Sequence, residues 1–501
     1  MKNFKRICAL GLAGTMILGL TACSGGAAAT DSASAEQSED LSNVSMAFED
    51  GRDLTIGSWW REYYDSTDET MDASSDWVNA QFADDDDEAA KAEKTVNQAV
   101  AQAKWDNVAK LEEKYNCKFH WENLTYAGTQ ESMNTSILAG SPDCEIYMVD
   151  TTMAVPAQAN GLLKNMKDIL PEDHDLFTEQ KVLSYLDLGD GQACILKVQG
   201  GLSNTYPLGF NVQMLEENNL EDPRDLYAKG EWTWDKFIEY CQVLTQDTDG
   251  DGQTDQYGFC GFANDTFTQL LMSNGTSVAG SSTESLSSAA TGESLQMLQD
   301  MYNNYNVCYP YDSYEAGGNP SDSMRNQYND GTIGFFPIAV WIQNGNGNYP
   351  MESDGQGNLT WDTAYVQWPV GPSGDASSNA CVNAVDGNFF VIPASYSDEE
   401  ALRIFNFLYD LYNWYDGDTT LRDDPATANW WYNETANKEE LKSANFEVQN
   451  YCLGKPGVEL WESLGTEMDL EKIILNEMTP AQFQETYKQQ VQDALNATFG
   501  K

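Results

Sequence analysis

Short strand-like stretches alternate with longer helix-like ones along the chain. After an apolar run from Ile7 to Leu20, the segment "DLTIGSWW" (53 to 60) sets Leu54 and Ile56 on one face of a strand. It then runs out into Trp59, Trp60, Arg61, Tyr63 and Tyr64. Val96, Val100, Val108, Leu111 and Tyr115 recur at helical spacing and predict a long helix with one buried face. "CKFHWENL" alternates as a strand, placing Cys117, Phe119 and Trp121 inward and turning His120 toward solvent. "NTSILAGSPDCEIYMVD" predicts a helix ending near Ala139 and Gly140, a turn at Pro142, and a buried strand that delivers Asp150 and Thr151 at its carboxyl end. This order predicts an α/β fold with a parallel sheet and ligands bound at strand ends.

The apolar run at the start changes where such a fold would work. Lys2, Lys5 and Arg6 precede it, which is the layout of a secretory signal over residues 1 to 22 and is too short for a spanning helix. It ends in "LTAC", and small residues before a cysteine resemble the bacterial lipobox, in which cleavage leaves Cys23 lipidated at the new N-terminus; an ordinary signal cut nearby is the alternative. Residues 23 to 50 begin "CSGGAAATDSASAEQSED" and read as a flexible tether, with almost nothing to bury. The expected location is the outer face of a bacterial cytoplasmic membrane, with only the lipid touching the bilayer.

Composition removes whole classes of function. With 79 acidic against 27 basic residues and a formal charge of -52, nucleic acid is not an expected partner. The sequence has two histidines, His120 and His174, which argues against a histidine-based triad or a multi-histidine zinc site. Apart from Cys8 and Cys23, the cysteines are scattered singly and read as buried thiols, not as a disulfide framework. The roughly 450 residues beyond the tether are too many for one core and predict two lobes.

One motif invites a metal. In "DTDGDGQTDQYGF", Asp247, Asp249, Asp251 and Asp255 fall at positions 1, 3, 5 and 9 of an EF-hand loop and Gly252 at the turn, and Gln253 joins them as a candidate ligand. Position 12 is Gly258, where an EF-hand needs a bidentate Glu. Three readings compete: an exposed acidic turn, a structural calcium site completed by an oxygen from elsewhere, and a sensor EF-hand. The missing Glu argues against the last. Calcium, if held, steadies a loop; the predicted function requires no cofactor.

Several segments together carry a family likeness. "AGSPDCEIYMVD" resembles the small-Gly-x-Pro-Asp-strand segment of the family 1 extracellular solute-binding proteins, the receptors of sugar ABC importers. In order, "YPLGFNVQML" (206 to 215), "GEWTWDKFIEYCQVLT" (230 to 245), "YNDGTIGFFPIAVW" (328 to 341) and "NFFVIPASYSDEEALRIFNFLYDLY" (388 to 412) resemble its later segments. Within the second of these, Thr233 is a candidate cap, with Phe237, Ile238, Cys241 and Leu244 inward. Residues 416 to 501 match only as generic helices, and "DETMDASSDWVNAQFADDDDE" has no counterpart.

The resemblance implies a type II, two-lobed periplasmic-binding-protein-like α/β fold whose discontinuous lobes meet at a hinge. The expected limits are 51 to 197 for lobe 1, 198 to 371 for lobe 2, 372 to 415 for a return to lobe 1, and 416 to 501 for helices mainly of lobe 2. Crossovers are expected near 192 to 200, 369 to 376 and 412 to 420. The implied function is capture of a solute, a mono- or oligosaccharide, by a monomer that passes it to an ABC importer permease without catalysis. A surface-anchored glycoside hydrolase is the alternative, since such an enzyme needs only two carboxylates set across one bond.

Strand ends then nominate the ligand-binding residues. They are Trp59 and Trp60, Asp150 with Thr151, Trp341, and Asp386 with Asn388, joined from the second lobe by Tyr206, Phe262 and Asn264. An indole suits the apolar face of a sugar, and carboxylate or amide oxygens suit its hydroxyls. The competing role for each tryptophan is core packing, and for Asp150 it is capping the adjoining helix.

Overall fold

The computed structural model describes residues 41, 44–59, 98–178, 192–198, 206–310, 327, 330–338, 360–376, 389–415, 417, 419–423, 432, 435–453 and 459–499. The signal segment, Cys23, Trp60, Trp341, Asp386, Asn388 and the insert between 67 and 90 lie outside these residues. The chain runs β1 (Asp53–Ser58), α1 (Gln98–Tyr115), β2 (Lys118–Asn123), α2 (Tyr126–Leu138), β3 (Ile146–Val149), α3 (Thr151–Ala159) and β4 (Leu208–Asn211). It continues through α4 (Trp234–Leu244), β5 (Tyr257–Phe259), α5 (Ala263–Ser273), α6 (Ala289–Asn303), β6 (Ile333–Pro337), β7 (Thr363–Val366) and β8 (Phe389–Val391). It ends in α7 (Asp398–Tyr412), α8 (Glu439–Leu453) and α9 (Pro480–Phe499), with shorter helical turns between.

Two four-stranded sheets organise these elements. The first has the order β2-β1-β3-β8, and the second β5-β6-β4-β7. In the first, β1 pairs in parallel with both β2 and β3, whereas β8 joins antiparallel to β3. A strand from near residue 390 thus completes a sheet begun near residue 53, so the lobes are discontinuous in sequence. In the second sheet β4 runs antiparallel to β6 and β7, and β5 lies parallel to β6. Mixed pairing of this kind is common in α/β sheets.

Local chemistry sets the helix boundaries. The inward face of α1 is Val100, Val108, Leu111 and Tyr115, and it packs on α7. Ser397 caps α7 by accepting from Glu400 N, and Asp398, Glu399 and Glu400 in its first turn complement the helix dipole. Thr233 caps α4, whose Phe237, Ile238, Cys241 and Leu244 are buried. Gly140 comes just after α2 at a φ of 72°, a left-handed conformation that glycine adopts without a Cβ penalty.

The structure adjusts three expectations. The tether does not extend to residue 50, because Phe48 is buried, its N–H donates to Tyr115 O at 2.7 Å, and Arg403 Nε donates to Ser45 O at 2.6 Å. The crossover expected at 369 to 376 is still attached to the second lobe: Val370 bridges Thr233, Gly371 N donates to Ser273 O, and Tyr227 Oη donates to Ala376 O. His120 is only half turned to solvent, its Nε2 3.2 Å from Glu122 Oε2. The thiols of Cys117, Cys144, Cys194, Cys241, Cys260 and Cys308 are free and buried, as their scatter predicts.

Helix α9 touches α6 of the second lobe and also α3 of the first. It thereby contacts elements of both lobes.

Candidate functional site

The three parallel strands of the first sheet point their carboxyl ends the same way, and each delivers one group of a cluster. Trp59 succeeds β1, Tyr126 opens the helix after β2, and Asp150 succeeds β3. Trp59 meets Tyr126 edge to face, with ring centroids 5.1 Å apart and planes at 75°. Half-buried Trp59 rests against the core on one side, while the Tyr126 side chain is 48% exposed. Tyr126 Oη donates to Asp150 Oδ2 at 2.6 Å, and burial together with that bond pushes the phenol up to about 12. Asp150 is 4% exposed. Its Oδ1 accepts from Met153 N at 3.0 Å, capping α3, and from Thr152 Oγ1 at 2.6 Å. Capping and a place at the strand end are therefore both properties of Asp150, and its position fixes the Tyr126 hydroxyl.

The second lobe answers from the carboxyl end of β5. Phe262, Asn264 and Asp265 lie where β5 gives way to α5. Asn264 Nδ2 donates to Glu462 Oε2 at 3.2 Å. Two contacts secure the turn that carries Glu462: Trp461 Nε1 donates to Thr268 Oγ1 of α5 at 3.3 Å, and buried Glu459 accepts from the N–H groups of Val278 and Ala279 at 2.6 and 3.0 Å. Asp265 keeps partial solvent access, yet dense surroundings and the Glu462 charge push its carboxyl up to about 8. Burial pushes Glu462 up to about 7, against the opposing bond from Asn264. The Glu462 charge also contributes to raising the Tyr126 phenol of the first lobe, as the smallest of the causes acting on it.

Residues 106–413 match the family described as bacterial extracellular solute-binding protein. The chain belongs to this family. Its members are binding proteins and not enzymes, which removes the hydrolase alternative. The chain also resembles solved two-lobed structures. One is the GacH receptor of Streptomyces glaucescens, described unliganded and with acarbose, at 12% identity and a TM-score of 0.55, covering 90% of this chain and 99% of that one. A second is a cyclic α-maltosyl-1,6-maltose binding protein of Arthrobacter globiformis, at 16% and 0.55, covering 88% and 98%. A third is an ABC substrate-binding protein of Listeria monocytogenes in complex with cycloalternan, at 15% and 0.53, covering 80% and 96%. At these identities the likeness concerns the fold. No curated protein matches the chain by sequence.

In this solute-binding protein the nominated ligand residues fall into groups. Trp59, Asp150 and Asn264 join the inter-lobe cluster. Thr151 is buried in the first turn of α3, and Phe262 packs partly against the core. Tyr206 is 3% exposed and its carbonyl accepts from Trp368 Nε1 at 2.7 Å, which makes it wall material in the described arrangement. Trp60, Trp341, Asp386 and Asn388 lie outside the described residues. Three members of the cluster escaped the sequence reading: Tyr126 and Asp265, each at the start of a helix, and Glu462, in the C-terminal region that carried no family signal. The strand-end rule applied to β2 would have found Tyr126.

The acidic loop lies at the amino end of β5, opposite the cluster. Carboxylate oxygens of Asp247, Asp249 and Asp255 all fall within 4.8 Å of one another. Asp247 accepts from Gly250 N and Gly252 N at 2.7 and 2.8 Å, and both glycines have positive φ. Asp251 and Gln253 instead bond each other. Three hard oxygen ligands suit calcium but leave its usual six to eight to be completed by carbonyls and water. Gly258 settles the EF-hand question. A Cβ there would lie 2.3 Å from Cys241 O and 2.4 Å from Cys241 Cα, because α4 packs directly on β5. Position 12 therefore has no room for a Glu, and the loop leads into strand β5 where an EF-hand would enter a helix.

Proposed function

We propose that this solute-binding protein captures a carbohydrate between its two lobes and hands it to an ABC importer. It does so as a monomer tethered through lipidated Cys23 to the outer face of the membrane. The observation that carries this reading is the meeting of strand ends β1, β2 and β3 in Trp59, Tyr126 and Asp150, together with the Asn264–Glu462 pair at the carboxyl end of β5 in the second lobe. The exposed aromatic surface of Trp59 and Tyr126 offers a sugar's C–H face a place to stack, and the carboxylate and amide oxygens accept from its hydroxyls. Closing the lobes excludes water and strengthens every such bond. Among the described residues no helix is long and apolar enough to cross a membrane, which agrees with a tether as the only attachment. The calcium loop steadies β5 from its far end and takes no part in capture.

The test is a thermal-shift screen of the mature chain over a carbohydrate library, with product analysis of each hit. Stoichiometric stabilisation without cleavage, lost in Trp59→Ala, is expected; a ligand at 100 times its Kd stabilises by about 2.7 kcal/mol. Cleavage products, or a hit indifferent to Trp59→Ala, overturn the proposal.

A further inference from the structure

Helix α5 carries Asn264 and Thr268 four residues apart, so both lie on one of its faces. The turn at residues 461 to 465 grips that face at both points. Trp461, 2% exposed, donates its indole N–H to Thr268 Oγ1 at 3.3 Å, and Glu462 Oε2 accepts from Asn264 Nδ2 at 3.2 Å. A third attachment lies past the far end of the helix. Glu459 Oε2 accepts from Val278 N at 2.6 Å, and its Oε1 accepts from Ala279 N and Trp461 N, each at 3.0 Å. Val278 and Ala279 are themselves fully buried.

This geometry dictates the residue type at 459. The donors of Val278 and Ala279 reach different oxygens, and only a carboxylate accepts on both; a Gln would turn an NH2 group toward one of them. Charge-assisted bonds of this kind are the stronger sort, and they persist here although burial pushes the Glu459 carboxyl up to about 7. Glu459 is 3% exposed and closed off from the cleft. Its effect passes along the turn, where Leu464 N donates to Leu460 O at 3.0 Å and Gly465 N to Glu462 O at 3.3 Å. Displacing Glu459 therefore displaces Trp461 and Glu462 as well.

We propose that Glu459 is a positioning residue for solute capture: it pins the 461–465 turn to Val278 and Ala279, and so sets Glu462 against Asn264 at the carboxyl end of β5. These residues of the turn lie beyond the 106–413 family match, so this part of the site is held from outside it. The importance of the Asn264–Glu462 pair rests on the capture reading above; the tie through Glu459 does not.

Nuclear magnetic resonance of the full mature chain without solute tests the tie, and its failure leaves the capture reading to the carbohydrate screen. The signals are the Trp461 indole N–H, identified by its loss in Trp461→Phe, and the Asn264 side-chain amide, identified by its loss in Asn264→Ser. Trp232 and Trp368 are references, because their indoles donate elsewhere in the same lobe, to Gln367 O and Tyr206 O. In Glu459→Gln the Trp461 signal is expected to shift, and the Asn264 signal to move to its position in Glu462→Ala, with both references unmoved. If all four signals move together, Glu459 merely supports the lobe as a whole and the proposal falls. Unmoved Trp461 and Asn264 signals overturn it too. Should Glu459→Gln fail to fold, hydrogen exchange of the wild type in rising urea decides. The N–H groups of Val278 and Ala279 and the Trp461 indole are expected to lose protection in one step, and separate steps overturn the proposal.

Discussion

The hydroxyl of Tyr126 lies 2.6 Å from Asp150 Oδ2, so a residue opening one helix is locked to the residue capping the next. The bond fixes the aromatic surface against the strand ends. Tyr126→Phe retains the ring and the cap but loses this anchor, and a ligand should bind about 2- to 12-fold more weakly, matching about 0.5–1.5 kcal/mol for one hydrogen bond. Asp150→Ala loses the cap too and should also destabilise the fold by about 0.5–2 kcal/mol. Titration calorimetry and denaturant melts check the pair. Equal folding stability in the two variants would show that Asp150 does not cap α3.

The raised carboxyls make stability depend on pH. Asp265 is held at about 8, and Glu462 and buried Glu459 at about 7, whereas unfolded carboxyls titrate near 4. Between those values the folded chain binds protons that the unfolded chain has released. Their contribution is therefore fully present below pH about 4 and is lost as pH rises through 7 and 8. The melting temperature of wild type should fall over this range, and that of Asp265→Asn should fall less. Parallel profiles for the two proteins would remove Asp265 from the account.

Gly258 is held against the backbone of α4, with Cys241 O 2.3 Å from where a Cβ would stand. Gly258→Ala must push α4 off β5 and should cost about 1–3 kcal/mol, the usual range for overpacking. Urea unfolding of the variant measures it. A change under about 0.5 kcal/mol, within the usual scatter of a neutral substitution, would mean that the helix moves freely on the strand.

For the acidic loop, calcium is expected to bind to wild type and not to a variant with Asp247→Ala and Asp255→Ala. Chelation should lower the melting temperature without altering solute affinity, because the loop and the inter-lobe cluster sit at opposite ends of β5. Calorimetry showing no calcium uptake by wild type would leave the loop as an acidic turn held by its own Asp-to-backbone bonds. Solute affinity that changed on chelation would argue against the separation of the two sites.

Periodicity and local chemistry alone determined much of this protein. The inward faces of α1 and α4, the caps at Thr233 and Asp150, and the delivery of Asp150 by a buried strand are all local, because burial of one face and satisfaction of helix ends depend on neighbours a few residues away. The family likeness reaches to about residue 412, close to the limit of the family match at 413. Tertiary structure decided what involves distant parts of the chain: that Phe48 belongs to the folded body, that β8 closes the sheet begun by β1, and that Glu462 comes to Asn264, 198 residues away in sequence. An acidic residue in a region of generic pattern carries no sign of its partner, since its carboxyl is unusual only once distant parts of the chain have packed around it and excluded water. The same holds for Gly258. In sequence it breaks an EF-hand pattern, and only the packing of α4 on β5 gives the reason.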